Sequence, residues 1–256
     1  MNEKKKYFFI SSLSKGLDVL ELLADKDELS VSEVARFLGY NRTGSHRLLA
    51  TLRELGYVEQ NQSNKYHLTF KMLGLGMKLA RRFEIRRVAL SYMQELFAES
   101  GETVNLGIRD GFNVMHLEKI DSREILRIDI QIGSSAPLYC TALGKSILAF
   151  LPQKEKDETI AGMELKPMGP NTITSKKKLI KNLDEIKTKG YAKDNEELAS
   201  GLRCLSAPVF DRTGYARYSI SISGPATRLT DQRIDKLKGS IIKVCRNLSK
   251  HMENLP

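Results

Sequence analysis

The sequence has 256 residues and a formal net charge of +10 at pH 7, from 41 Lys and Arg against 31 Asp and Glu. A hydrophobic share of 41% is typical of a globular protein with a core, and no apolar run approaches the roughly 20 residues of a membrane span. The three cysteines lie too far apart in the sequence for a disulfide framework or a CxxC metal pair, so we expect a cytoplasmic protein with reduced thiols. The positive charge favours polyanionic partners.

Two helices are predicted first in the chain. The first covers residues 13–24, and its apolar face is formed by Leu13, Leu17, Leu20 and Leu23. Ser30 precedes the second helix, and Glu33 three residues later completes a capping-box pattern. Gly39 then ends this helix.

A third helix and a hairpin follow. Asn41 is a good N-cap for a helix that continues to about Leu55. Two β-prone runs, residues 57–60 and 65–68, flank the turn-rich residues 61–64, which predicts a hairpin. Three helices and a hairpin in this order predict a winged helix-turn-helix.

The third helix has two different sides at 100° per residue. Its leucines share one side with Ser45, which we expect to pack inside: Leu48, Leu49, Leu52 and Leu55. The other side and its flanks carry side chains suited to base edges and phosphates. The candidate DNA-binding residues are Arg42, Thr43, His46, Arg47, Ala50 and Arg53, with Lys65 in the wing. A solvated amphipathic helix would look similar, but the capped helix before it and the basic hairpin after it favour DNA binding.

The chain then changes character. Residues 71–99 predict two linked helices, the first a connector and the second the start of another domain, so we divide the chain into residues 1–83 and 84–256. Strands are predicted at 103–109, 113–120, 125–132, 208–210 and 217–223, and helices near 143–151, 175–189 and 231–251. This mixture predicts an α+β domain with an antiparallel sheet.

Several blocks, in one order, resemble the IclR family of transcription regulators over nearly the whole chain, from about Leu13 to about Asp235. The matching blocks are residues 29–35 (LSVSEVA), 46–49 (HRLL), 52–57, 137–145 (PLYCTALGK), 190–197 (GYAKDNEE), 201–209 (GLRCLSAPV) and 219–225 (SISISGP). The resemblance implies a GAF-like effector domain after the winged helix. It also implies a homodimer or homotetramer on a near-palindromic operator, more often a repressor.

The resemblance further implies that a small metabolite, an organic or sugar acid, alters DNA binding. Carried onto this chain, the effector-binding residues are Ala142, Leu143, Asp194, Cys204, Ser221 and Ser223. These positions suit the role, because the first N–H groups of a helix near residue 142 can hold a carboxylate, and two serines two residues apart on a strand face the same side. Asn195 departs from a frequent acidic residue at its position and leaves the polarity of the effector open.

Two alternatives use the same domain. In a Cys-dependent enzyme, Cys204 or Cys140 would be the nucleophile and His116 the base; in a metal sensor, the same three residues would be ligands. The sequence has no P-loop, GxGxxG or HExxH motif, and the three residues lack metal-ligand spacing. We therefore expect no catalytic residue, metal or cofactor, and we interpret His116 as a core or surface histidine and Cys204 as lying just before a strand.

Overall fold

The computed structural model describes residues 8–80 and 83–253, which form two compact units, one running through Phe83 and the other beginning at Glu84. The elements of the first unit are α1 (Ser11–Lys26), α2 (Val31–Leu38), α3 (Arg42–Glu54), β1 (Val58–Gln60), β2 (Tyr66–Leu68) and α4 (Phe70–Ala80). The strands β1 and β2 pair antiparallel as the predicted hairpin.

Local hydrogen bonds set the ends of α2 and the start of α3. The Ser30 hydroxyl accepts from the backbone N–H of Glu33 at 3.3 Å, and the Glu33 carboxylate accepts from the N–H of Ser30 at 2.8 Å. Gly39 ends α2 in the left-handed region at φ 67°. The Asn41 side chain accepts from the N–H of Gly44 at 2.6 Å and so caps α3. The predicted capping box and Asn41 cap are confirmed.

The core of the first unit holds fewer of the predicted leucines than the helical pattern suggests. Ser45 is fully buried, as predicted, together with Leu49 and Val34. By contrast Leu13, Leu17 and Leu55, which also belong to the predicted apolar faces, are 59%, 51% and 53% exposed. These leucines instead line an apolar groove between α1, α3 and α4. Its walls are formed by Ser12, Leu13, Gly16, Leu17, Leu20, Leu48, Thr51, Leu52, Leu55, Tyr57, Met72 and Leu75.

The second unit is an α+β domain around a six-stranded sheet. Its elements are α5 (Ile85–Ser100), β3 (Thr103–Asp110), β4 (Asn113–Ile120), β5 (Ser135–Pro137), α6 (Ala142–Phe150), α7 (Gln153–Gly162), α8 (Lys176–Lys189), β6 (Ala192–Asn195), β7 (Leu202–Phe210), β8 (Ala216–Pro225) and α9 (Asp231–Glu253). The strand order is β5-β4-β3-β8-β7-β6, and every neighbouring pair is antiparallel. The predicted antiparallel α+β class is confirmed.

Helices cover both faces of this sheet. Helices α5 and α9 pack on each other and on the central strands. Helix α6 also packs on the central strands, and α8 packs on α6. The Ser219 hydroxyl donates to the carbonyl of Leu143 in α6 at 3.1 Å, and the hydroxyls of Ser206 and Ser146 lie 3.0 Å apart. Because side chains alternate along a strand, the residues two apart from these serines share the α6 face.

One predicted strand is absent. Residues 125–132 form no strand, and the chain joins the edge of β4 only from Gly133, whose N–H donates to the carbonyl of His116 at 2.8 Å. Ile125 is fully exposed, whereas Ile128 packs on Ala142 and Cys204. In the middle of this segment, Ile128 and Ile130 therefore pack beside α6 and do not mark a paired strand, and the apolar pattern cannot distinguish the two arrangements.

Other differences concern the lengths of elements. Helix α7 and strand β6 were not predicted, and β7 begins at Leu202, so Cys204 lies inside a strand and not just before one. The edge strand β6 has only 4 residues and a mixed polar sequence, which explains why no strand pattern was visible. Among the residues that the structure describes, no helix is long and apolar enough to cross a membrane.

Candidate functional site

The outward side of α3 is polar and accessible. Arg42, Thr43, His46, Arg47 and Arg53 are exposed, and Ala50 is half-buried between them and the core. The opposite side is anchored by the buried leucines of α3, so the helix presents a fixed polar surface. Arg53 also donates to the side chain of Gln60 in β1 at 3.2 Å, which links the end of α3 to the hairpin.

The hairpin turn is held by side-chain hydrogen bonds. Asn61 accepts from the N–H groups of Ser63 and Lys65, both at 3.0 Å, and Asn64 occupies the left-handed region at φ 58°. Lys65 is half-buried at the base of the turn. This ordered turn carries the candidate Lys65 and four polar residues, which suits contact with a phosphate backbone.

In the second unit, the structure brings all six predicted effector residues to one cavity. The cavity is lined by His116, Ile130, Thr141, Ala142, Leu143, Asp194, Leu198, Leu202, Cys204, Ser221 and Ser223. Its free volume is about 20 Å³, enough for a single water molecule. A larger molecule therefore requires the walls to move apart. One wall residue, Ile130, belongs to the segment 125–132, which forms no helix or strand.

Strand register explains why residues so distant in sequence meet. Ser223 of β8 stands opposite Thr103 of β3 on one side and Cys204 of β7 on the other. Cys204 in turn pairs with Asp194 of β6. One row across four strands therefore places three of the six predicted residues side by side.

Helix α6 closes the cavity with its N-terminus. The Thr141 hydroxyl caps the helix by accepting from the N–H of Gly144 at 3.1 Å. The N–H groups of Ala142 and Leu143 then have no acceptor among the described residues. Gly144 is required here, because an added Cβ would lie 2.4 Å from the backbone of Leu138. The free N–H groups and the helix dipole form a site for an anion.

A buried charged group adjoins the cavity. Lys145 is 1% exposed and pairs with Glu197, whose own N–H donates to the Asp194 carboxylate at 2.8 Å. Burial, together with the neighbouring Glu197 carboxylate, raises the pKa of Asp194 to about 7. The second carboxylate oxygen of Asp194 has no partner among the described residues. Asp194 is therefore poised to change its charge near neutral pH.

The thiols are unsuited to nucleophilic or metal chemistry. Burial raises the pKa of Cys140 to about 12 and that of Cys204 well above its ordinary value, so both are protonated thiols at neutral pH. Within the described ranges, no group of three or more His, Cys, Asp or Glu side chains is placed to hold a metal ion. The cavity offers hydroxyls, N–H groups and one acid, which suit reversible binding.

Sequence reasoning missed four polar residues at or beside the cavity. His116 lines it, the amide of Asn105 donates to Ser223 at 3.2 Å, and Lys145 and Glu197 form the adjoining pair. Lys145 could have been identified from the sequence, because it is a lysine inside the otherwise apolar segment ALGKSILAF. Asn105 and Glu197 carry no comparable signal, because their positions beside the cavity depend on the sheet and on the turn after β6.

Comparison with known proteins agrees over both units. Residues 77–250 match the bacterial transcriptional regulator IclR C-terminal family, and residues 12–62 match the IclR helix-turn-helix domain. The chain is 35% identical over 244 residues to the HTH-type transcriptional regulator KdgR of Escherichia coli (strain K12), covering 95% of this chain and 93% of that protein. It is 31% identical over 240 residues to the HTH-type transcriptional repressor AllR of Klebsiella pneumoniae, covering 93% and 88%.

A solved structure gives the same answer. The crystal structure of the Thermotoga maritima IclR superposes with a TM-score of 0.81 at 32% identity and covers 96% of this chain and 100% of that one. These relatives are transcriptional regulators and not enzymes, which favours the regulator over the Cys-dependent enzyme and the metal sensor. The chain belongs to the IclR family and is a DNA-binding transcriptional regulator with a C-terminal effector-binding domain.

Proposed function

We propose that this regulator is a repressor that binds a near-palindromic operator as a homodimer or homotetramer, and that a small organic or sugar acid changes this binding. Residues 1–83 form the DNA-binding domain with its linker helix, and residues 84–256 form the effector domain. Because a bacterial-type transcription regulator acts on chromosomal DNA, the protein acts in the cytoplasm.

The exposed polar side of α3 supports the DNA half of the proposal. Arg47 lies in the middle of this side, where a guanidinium can pair with a guanine edge, and Ala50 is small enough for close approach to a thymine methyl. Arg42, Thr43, His46 and Arg53 flank them and reach phosphates or further bases. Lys65 in the wing contacts the backbone.

The cavity supports the effector half, and its assembly from all six predicted residues is the observation that carries the proposal. An effector carboxylate accepts from the N–H groups of Ala142 and Leu143. The Ser221 and Ser223 hydroxyls and the protonated Asp194 carboxyl donate to the same carboxylate, and Cys204 contributes a neutral wall.

The apolar groove of the first unit supports a homo-oligomer. Leu13, Leu17 and Leu55 expose about half of their surface along it. Helix α4 adds Leu73, Met77 and Leu79, all at least half exposed, and has no buried residue. Exposed leucines at this density mark a surface that associates, and a second copy of the chain fits the two-fold symmetry of a palindromic operator.

Two relatives described as repressors support the proposal that this regulator represses transcription. The AllR protein of Klebsiella pneumoniae is a transcriptional repressor, and so is the IclR protein of Escherichia coli, which is 28% identical to this chain over 244 residues. We infer that this chain also blocks transcription from its operator and that the effector modulates the block.

Operator binding tests the proposal directly. The full-length protein is titrated with DNA fragments flanking its gene, at one fixed salt concentration, with and without a panel of organic and sugar acids. We expect one short near-palindrome to bind selectively, and one acid to shift its affinity in the wild type at a concentration that is too low to act on the more weakly binding Ser223→Val. Equal binding to every duplex would overturn the DNA half, and a shift that persists in Ser223→Val would overturn the cavity as the effector site.

A further inference from the structure

A buried histidine on the cavity wall has no hydrogen-bond partner. His116 lies in β4, is 5% exposed and lines the cavity. Its Nδ1 is inaccessible to water and has no hydrogen-bond partner among the described residues. Buried imidazoles are normally hydrogen-bonded, so an unpaired ring nitrogen at a cavity indicates a role in binding a polar ligand.

The surroundings leave the ring neutral. Gly107 of β3 stands opposite His116 and has no side chain. A Cβ added at Gly107 would meet Val114 and Leu143, so the space beside the ring is apolar. The titratable groups that share the cavity with His116 are Asp194 of β6 and Cys204 of β7, and no described cation bonds the ring. Burial lowers the pKa of His116 to about 4. A neutral imidazole offers one N–H donor and one nitrogen acceptor.

Packing alone does not explain a histidine at this position. Leu143, Leu198 and Leu202 already contribute apolar walls to the same cavity. An aliphatic residue at position 116 would continue the apolar surface of Val114 and avoid a buried polar group. The imidazole instead adds a polar group on β4, which lies toward the opposite edge of the sheet from β6 and its Asp194.

We propose that His116 is a specificity-determining residue of the effector site, and that it selects acids carrying a hydroxyl group at the end remote from the carboxylate. This inference rests on the proposed function, in which the carboxylate accepts from the N-terminus of α6. The effector hydroxyl donates to the unprotonated ring nitrogen of His116 or accepts from the ring N–H. Either contact gives the imidazole a hydrogen-bond partner. An acid with an alkyl end leaves the ring unpaired and binds more weakly.

Matched acids test this proposal by calorimetry on the full-length protein. The three-carbon set is propionate, 3-hydroxypropionate and glycerate, and the six-carbon pair is hexanoate and gluconate. For the length that fits, we expect the hydroxylated acid to bind roughly tenfold more tightly than its unsubstituted partner, from one additional hydrogen bond. His116→Leu should abolish this preference, and His116→Gln, which keeps a hydrogen-bonding group, should retain part of it.

The control variant separates this proposal from the effector site itself. Ser223→Val should weaken all bound acids without changing the ratio between hydroxylated and unsubstituted members. If the acids bind through Ser223 but the ratio is the same in His116→Leu as in the wild type, the role of His116 is overturned and the effector site stands. If the wild type binds none of the acids, or binding does not depend on Ser223, the effector site fails and the role of His116 fails with it.

A spectroscopic measurement on the wild type tests the contact with His116 directly. The chain has 4 histidines, so nitrogen-15 labelling of histidine gives few ring signals, and the His116 signals are those lost in His116→Gln. Saturation with the hydroxylated acid should shift the His116 ring nitrogens and leave those of His46 and His67, in the first unit, unchanged. Unshifted His116 signals at saturation would overturn the proposal.

Discussion

Four buried polar atoms without a partner among the described residues lie at or beside the proposed effector cavity. They are Oδ1 of Asn105, Nδ1 of His116, Oδ2 of Asp194 and Oε2 of Glu197. Leaving one such group unsatisfied costs about 1–3 kcal/mol of folding free energy. A fold that tolerates several of them in one place is less stable than an apolar alternative, and this pattern is typical of a ligand-binding site.

Asp194 should make effector binding depend on pH. Its pKa is raised to about 7 by burial, so the carboxyl is protonated below this pH and can donate to an effector carboxylate. Above it, the Asp194 carboxylate repels the effector. We expect affinity for a carboxylate effector to fall as pH rises through about 7, by up to roughly tenfold per pH unit. Calorimetry across this range checks the slope, and Asp194→Asn should remove it.

Arg47 should contribute to sequence selectivity. Arg47→Ala removes a guanidinium from the exposed side of α3, where nothing in its own chain depends on it for packing. We expect operator binding to weaken by about 1–3 kcal/mol while binding to unrelated duplexes changes less. Fluorescence anisotropy with operator and scrambled duplexes measures both. Unchanged affinity and unchanged selectivity would show that another side of α3 faces the DNA.

Lys65 should contribute to affinity without selectivity. It lies in the wing next to the turn that Asn61 holds, and we expect its side chain to contact the phosphate backbone. Lys65→Ala should weaken operator and scrambled duplexes alike, and should reduce the slope of log affinity against log salt by about 1. Loss of selectivity in this variant would instead indicate a base contact from the wing.

At the scale of elements, the capping box of α2 should stabilise the DNA-binding unit. Ser30→Ala removes the hydroxyl that accepts from Glu33, at an expected cost of about 0.5–2 kcal/mol in the free energy of unfolding. Ser32→Ala is the matched control, because Ser32 is exposed on the same helix and caps nothing. Urea denaturation of both variants, followed by far-UV circular dichroism, makes the comparison. Equal stability of the two would mean that the cap contributes nothing.

Elements differ in how far their own sequence specifies them. Helices α2 and α3 begin at Ser30 and Asn41 because the signals act through hydrogen bonds within three residues. The segment 125–132 has the alternation of a strand, but Ile128 and Ile130 pack beside α6 and the segment forms no strand. A strand needs a second strand beside it, and no local pattern reveals whether one is available.

At the scale of the whole molecule, the apolar groove should hold the oligomer together. Leu17 is 51% exposed in this groove, so Leu17→Glu places a charge at the proposed interface without disturbing the core. We expect a lower mass by light scattering and an operator affinity reduced by at least roughly tenfold, because single half-sites bind weakly. Ser11→Glu adds the same charge on α1 outside the groove and should change neither. Wild-type mass and affinity in Leu17→Glu would exclude the groove as an interface.

The sequence by itself determined the order of the helices and the hairpin, the antiparallel α+β class and the family. Helix caps, hydrophobic periodicity and the short blocks that match the family are all local features of the chain. It also predicted which side of α3 is polar. Only the tertiary structure decided that Asp194, Cys204 and Ser223 lie in one row, because register between distant strands sets that row. The same register turned His116 toward the cavity, and burial in the folded domain, which no short segment produces alone, gives Asp194 and His116 their altered pKa values.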